Sequence, residues 1–297
     1  METQTANKTA NPATIGFCAA TNIGILTVDE GIKLNRSKVA IVGLGGVGGI
    51  AAIQCARLGI QDMHLIDGDA FEVSNLTRQM LCSIAHIGRS KAMVAAEALK
   101  DINPKINSRV TTQYLTEENS KELLAGTDVI IDCTDNLVAR IIIHRAARDL
   151  GIPSIWIAVT PPFRGGVMTF TPDSMSMEEA LSQPSRGRDL TDDIKREILE
   201  IKNERARYSV TLSDSINQKS MARWAKEYIE GKVPWTVISP MANIVGILAS
   251  FEAMKVLLNR PQLQPVKAPA IVRVDLSKPE MVKVETPEAG RWDNTRL

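Results

Sequence analysis

Lys38-Val-Ala-Ile-Val-Gly43-Leu-Gly45-Gly46-Val-Gly48-Gly49 is the stretch on which the fold turns. An apolar run without polar alternation leads straight into glycines, the pattern of a strand buried on both faces of a parallel sheet. Small and apolar residues at helical spacing follow over Val47–Leu58. A glycine loop between strand and helix lets the backbone turn tightly and approach a ligand closely. The helix N-terminus behind it offers unpaired N–H groups and a partial positive charge, which suit a phosphate.

Working outward, the apolar pattern predicts strands at Met63–Ile66, Arg109–Gln113, Asp128–Asp132 and Ser154–Ala158. Helices are predicted between them at Arg89–Ile102, Glu117–Ala125 and Asn136–Leu150, with a short one before the loop at Val28–Leu34. Such alternation implies right-handed crossovers and a Rossmann-like α/β fold, its mostly parallel sheet covered by helices on both faces. Arg164–Thr171 reads as the first strand of an antiparallel continuation, completed by Ile271–Leu276 and Val282–Glu285. Residues 172–235 are more polar, with helical patches at Thr191–Arg207 and Ser215–Glu230, and read as a helical insertion forming a substrate lobe. Ser239-Pro240 signals a helix start, with Ser as cap and Pro in the first turn. Met241–Leu258 behind it is apolar on most sides, as in a buried or dimer-interface helix. The expected organisation is one domain over 1–297: a nucleotide-binding core at 26–171, the lobe at 172–235, and a C-terminal helix and strands at 236–285. Residues 1–25 are expected to be loosely structured.

The bulk numbers narrow the function classes. With 35 basic and 34 acidic residues the net charge is +1, so neither nucleic acid nor an anionic membrane is expected as a partner. No uninterrupted apolar run approaches the roughly 18 residues that span a bilayer, and residues 1–14 lack a signal-peptide core. A cytoplasmic location is the default expectation. Cys18, Cys55, Cys82 and Cys133 are scattered and form no C-x-x-C pair, so no structural zinc is expected.

Asp67 and Asp69 close the second strand, about 20 residues after the loop, where a carboxylate can accept bonds from a ribose. The loop and carboxylates alone leave a dinucleotide and ATP both open. Three further motifs follow in order: Asn75-Leu-Thr-Arg78-Gln79, Gly88-Arg-Ser-Lys91 and Asp132-Cys-Thr-Asp135-Asn136. With them the chain resembles the ThiF/MoeB/HesA family of ubiquitin-activating-like adenylyltransferases over about residues 36–160.

That resemblance implies ATP and Mg²⁺ as cofactors and adenylation of a carboxylate with release of pyrophosphate. Laid on this sequence, it places Gly43, Gly45, Gly46 and Gly48 under the phosphates and Asp67 on the ribose. Arg78 and Lys91 would neutralise the triphosphate, and Asp135 would hold the Mg²⁺. Asp69, Asn75, Gln79 and Asn136 complete the implied nucleotide site, with Asn75 and Gln79 positioning phosphates or the neighbouring loop. The chemistry is coherent: a carboxylate is already ionised at neutral pH and needs no general base. His64, His86 and His144 form no recognisable dyad and are assigned packing or surface roles.

Two departures from the family pattern matter. No cysteine follows Cys133, so a thioester or persulfide step on residues 134–297 is excluded. No arginine precedes Arg36, leaving Lys33 or Arg36 as weak substitutes for an arginine that relatives supply to a neighbouring subunit. The expected partner is a peptide or a small carrier protein, in a homodimer implied by the family. Peptide tailoring is the leading reading, with sulfur-carrier activation as its alternative and an NAD-dependent oxidoreductase as a different class of enzyme. A non-catalytic partner subunit is disfavoured by Arg78, Lys91 and Asp135. Arg186, Arg188, Arg205 and Arg207 are candidate carboxylate binders, although a solvated helix face accounts for them more simply.

Overall fold

The computed structural model describes residue 22 and residues 24–297. Cys18 and most of the stretch expected to be loosely structured lie outside the described residues. The strands are β1 (Lys38–Val42), β2 (Asp62–Ile66), β3 (Asn107–Thr111), β4 (Val129–Asp132), β5 (Ser154–Thr160), β6 (Arg164–Phe170), β7 (Ile271–Asp275) and β8 (Val282–Glu285). They form one sheet in the order β3-β2-β1-β4-β5-β6-β7-β8. The first five pair in parallel and the last three add antiparallel, as the sequence pattern anticipated. β3 starts two residues earlier than its apolar pattern suggested. None of its residues is fully buried, so this edge strand carries a weak apolar signal.

Successive residues of the central strands feed opposite faces of the sheet. Val39, Ile41, Val129, Ile131, Ile155 and Ile157 join one apolar cluster with Met241, Ala242 and Val245. Ala40, Val42 and Ile130 join another with Ile143 and Ala146. Each large aliphatic side chain so buried contributes about 1.5–3 kcal/mol. The helices that cover these faces are α1 (Val28–Arg36), α2 (Gly48–Arg57), α3 (Lys91–Ile102), α4 (Ser120–Leu124) and α5 (Leu137–Asp149). Between β6 and β7 come α6 (Met177–Ala180), α7 (Asp192–Thr211), α8 (Gln218–Ile229) and α9 (Ser239–Leu258).

Two expectations about α9 need correction. Ser239 is its first helical residue rather than its cap; Ile238 takes the cap position, and Pro240 sits in the first turn. The helix is also long and apolar enough to cross a membrane by length and composition, with a window of mean hydropathy 1.6. Interrupting residues such as Asn243 and Ser250 hid this from a search for unbroken apolar runs. Two-thirds of that window is buried inside the protein (67%), packed on α2 and on the sheet, as befits a core helix.

The topology fixes where a ligand can sit. From β1 the chain winds one way through β2 and β3 and the other way through β4 and β5. At such a switch point the loops leaving β1 and β4 part, opening a crevice at the carboxyl ends of the strands.

Candidate active site

A cleft of about 530 Å³ occupies this crevice, within the usual range for small-molecule sites. The glycine loop forms one part of its lining. Gly43 has φ +87°, and a Cβ there would lie 2.9 Å from the Cys133 carbonyl carbon. A Cβ on Gly48 would come within 1.8 Å of the Gly43 carbonyl oxygen, so the loop can close only without one. Gly43, Gly45, Gly46 and Val47 line the cleft, and no side chain caps the start of α2. Gly48 itself is buried behind them, packing the loop rather than facing the cleft.

Asp67, at the end of β2, holds the loop in shape. One carboxylate oxygen accepts from the Leu44 amide at 2.6 Å and the other from the Asp69 amide at 2.8 Å. Burial pushes its carboxyl above the usual range, against the lowering effect of those two amide bonds. Asp69 pairs with Lys91 at 2.8 Å and accepts from the Tyr114 hydroxyl. Burial pushes this carboxyl up too, but the Lys91 and Tyr114 bonds outweigh it and leave it below its usual range. Lys91 is buried at the first position of α3 and lines the cleft.

The motif around residue 75 divides in two. Asn75 is buried outside the cleft, where its side-chain oxygen accepts from the Glu72 amide at 3.1 Å and fixes the 3₁₀ turn Val73–Thr77. It positions the neighbouring loop, one of the two roles implied for it. Arg78 and Gln79 do line the cleft. Arg78 donates to the Ser74 carbonyl at 3.0 Å and is half-buried. Gln79 is buried and its side-chain oxygen has no partner among the described residues. Its side-chain nitrogen lies on the cradle side, 3.5 Å from where a Cβ on Gly45 would sit, and can donate to a phosphate oxygen.

Across the cleft, the loop after β4 carries Thr134, Asp135 and Asn136. Asn136 caps α5, accepting from the amides of Val138 (2.9 Å) and Ala139 (3.1 Å). Asp135 is exposed to the cleft and makes no hydrogen bond or ion pair among the described residues. Arg140, which sequence reasoning missed, locks this loop from below. Its guanidinium donates to the Thr134 carbonyl at 2.9 Å and to the Ile157 carbonyl, and stands 3.8 Å from fully buried Asp132. No group of three or more His, Cys, Asp or Glu able to hold a metal occurs among the described residues. Asp135 therefore stands as a single carboxylate, which fits Mg²⁺ held mainly by substrate phosphates and water.

His144 corrects an expectation, since it does form a dyad. Its ring contacts Asp132 at 3.2 Å and the Ser154 hydroxyl at 2.8 Å. All three are buried, so the array serves the core beneath β4 and β5. Arg186, Arg188 and Arg207 form ion pairs on the surface, as a solvated face predicts. Arg205 departs from that pattern. It is buried in the cleft lining and donates to the Asn294 carbonyl at 2.7 Å, and burial takes its guanidinium down to about 9. Beside it, Lys202 lines the cleft with no hydrogen bond or ion pair among the described residues. Burial pushes its amine below the usual range, against the pull of Asp135 and with the push of Arg140 and Arg205. Trp235 completes this side, its indole N–H donating to the Val159 carbonyl at 3.2 Å. The only sequence signal for Lys202 and Arg205 was helical spacing with Ile198 and Ile201. Lys33 and Arg36 lie at the other end of the sheet, near Asp128 and Pro153.

A model of the ThiF family matches residues 19–291. The chain belongs to the ThiF family. Among its ThiF-family relatives, the Escherichia coli sulfur carrier protein ThiS adenylyltransferase is 39% identical over 50% of this chain and 58% of that protein. The Haemophilus influenzae molybdopterin-synthase adenylyltransferase is 36% identical over 48% of this chain and 59% of its own length. The chain thus spans well under two-thirds of these relatives. Among solved structures, E. coli MccB with ATP superposes with TM-score 0.63 at 18% identity, covering 88% of this chain and 66% of that one. PaaA gives 0.63 at 20% identity over 96% of this chain and 77% of that one. These two share the fold of this ThiF-family chain.

Proposed function

We propose that this chain is a Mg²⁺- and ATP-dependent adenylyltransferase that activates a carboxylate on a peptide or a small carrier protein. One observation carries the reading. The glycine cradle, the Arg78 and Lys91 cations and the unbonded Asp135 carboxylate line a single cleft at the switch point, although four separate sequence segments supply them. A dinucleotide dehydrogenase has use for the cradle but none for that set of charges.

In the proposed reaction a substrate carboxylate oxygen attacks the α-phosphorus. The bond from that phosphorus to the bridging oxygen breaks, and pyrophosphate leaves with the electron pair. No proton has to move, so the chain's residues orient and stabilise rather than titrate. The glycine loop and α2 N-terminus hold phosphate oxygens, with Gln79 donating to them through its side-chain N–H beside Gly45. Arg78 and Lys91 offset charge on the leaving side, Lys91 kept in place by Asp69. Asp67 shapes the loop through its two backbone bonds and would accept from the ribose hydroxyls with its remaining lone pairs. Asp135 would hold Mg²⁺, which would supply positive charge to offset that of the phosphates.

The sulfur-carrier reading draws support from the named roles of the relatives that are 36–39% identical. Peptide tailoring draws on the whole-chain likeness to MccB, which is one of fold. Either way, the thiols bear on the fate of the adenylate. Burial pushes Cys55 up to about 12, and it pushes Cys133 well above the usual thiol range with the Asp132 carboxylate adding to it. Cys82 is raised by burial as well. None of these described thiols is poised as an acyl acceptor at neutral pH. We also infer a homodimer, supported by Ile247 and Phe251, which α9 leaves 43% and 42% exposed.

Mg²⁺-dependent exchange of pyrophosphate into ATP, run with short peptides and with carrier proteins ending in Gly-Gly, tests the reading. Exchange is expected with one substrate class and should drop at least 100-fold in Asp135→Ala and Lys91→Ala. Binding of NAD in place of ATP would overturn it.

A further inference from the structure

We infer that Lys202, projecting from the lobe helix α7, is the residue that receives the substrate's carboxylate and holds it against the nucleotide. The inference rests on the adenylation reading and adds a substrate-side contact to it.

Five cations line the cleft: Arg78, Lys91, Arg140, Lys202 and Arg205. Four are engaged by the protein. Lys91 pairs with Asp69, Arg78 bonds the Ser74 carbonyl, Arg140 is held by the Thr134 and Ile157 carbonyls, and Arg205 by Asn294. Lys202 alone has no hydrogen bond or ion pair among the described residues. Surface lysines are often unpaired because water solvates them, but Lys202 is partly buried and its amine is depressed by burial. A desolvated ammonium without an anionic partner is costly unless a ligand supplies the anion.

Its position says which anion. Arg78, Gln79 and Lys91 come from the segments after β2, beside the glycine loop, and serve the triphosphate. Lys202 lies with Asp135, Arg140 and the end of β5, on the other side of the switch point. A carboxylate approaching the α-phosphorus is an anion meeting a polyanion, and it needs its own counter-charge from the side opposite the departing pyrophosphate. The lobe tethers the helix that carries that charge. Arg205, one helical turn on, is tied to Asn294, and Trp235 is tied to the Val159 carbonyl. The Trp235 ring is packed by Trp224 and Tyr228 with centroids 5.3 and 5.1 Å away. Of these aromatics Trp235 lines the cleft, and an apolar wall there strengthens an ion pair beside it.

The test measures binding of ATP and of 5′-O-(N-acetylsulfamoyl)adenosine, a stable anionic mimic of an acyl-adenylate, by titration calorimetry on the full chain. Lys202→Met is expected to weaken the acyl-sulfamate at least tenfold while ATP affinity stays within twofold. Lys202→Arg, which keeps the charge, should recover most of the loss and covers the case in which the methionine variant folds poorly. Equal losses for both ligands would move Lys202 to the phosphate site and overturn the inference, as would no loss for either. Failure of the unsubstituted chain to bind ATP would instead sink the adenylation reading, and this inference with it.

Discussion

Gly48 and Asp67 show how the site is specified one residue at a time. Gly48 does not face the cleft, yet no other residue fits there, because any Cβ would overlap the Gly43 carbonyl oxygen at 1.8 Å. Rotamer choice cannot relieve a clash made by Cβ itself, so the loop must move. A displacement on the scale of 1 Å in a positioned site costs roughly 10²-fold. Gly48→Ala is therefore expected to weaken ATP about 100-fold, measured by calorimetry, and near-normal affinity would contradict this account of the loop. The spacing of the glycines was legible in the sequence, as was the carboxylate after β2. That Asp67 spends both oxygens on backbone amides was not, since hydrogen-bond partners depend on how the β1 and β2 loops meet. Asn75 shows the same limit: its motif marked it as important, and only the folded turn assigned it to the loop rather than the ligand.

At the scale of elements, capping and tethering decide where helices begin and what they hold. Thr27 and Glu30 form a capping box at α1, with the Glu30 carboxylate accepting from the Thr27 amide at 2.8 Å. The same carboxylate pairs with Arg260, just past α9, at 2.6 Å. The Arg260 hydrogen bond, followed by the Thr27 amide, takes the Glu30 carboxyl from 4.5 down to about 2. A depressed carboxyl contributes stability that is complete above its unfolded pKa and is lost as pH falls through the folded one. The stability gap between the unsubstituted chain and Glu30→Gln should thus be constant above about pH 5, shrink below 4.5 and vanish near 2. Urea midpoints across that range would show it, and a gap independent of pH would refute the tether. The box is a local feature, a Thr-x-x-Glu spacing. Its partner is 230 residues away and could not be read from spacing.

Across the whole molecule, the lobe is closed by residues near the far end of the chain. Leu297 is fully buried in a cluster with Trp156, Ile198, Ile201 and Ile271, and its carbonyl accepts from the Thr160 hydroxyl at 2.5 Å. Trp292 donates through its indole N–H to the Pro269 carbonyl at 2.7 Å, and Asn294 holds Arg205. α7, and with it Lys202, is thus braced by residues 292–297. Leu297→Ala removes a fully buried side chain and should cost about 2–5 kcal/mol. Hydrogen exchange is expected to report the loss as reduced amide protection in α7, with β1 protection retained. Equal loss in β1 would mean that lobe and sheet unfold as one unit.

The sequence by itself determined the parallel core, the glycine turn after β1 and the family motifs. All of these are local: apolar periodicity, a steric demand for glycine, and short spacings that survive without knowledge of neighbours. The tertiary structure decided which charges face the ligand. It placed Lys202, Arg205 and Arg140 in or under the cleft, paired Lys91 with Asp69, joined His144 to Asp132, and buried an apolar α9 in the core. Those outcomes depend on which segments distant in sequence pack together and which polar atoms they leave unsatisfied. A charged residue on a helix reads as a solvated one until the opposite wall of its pocket is known.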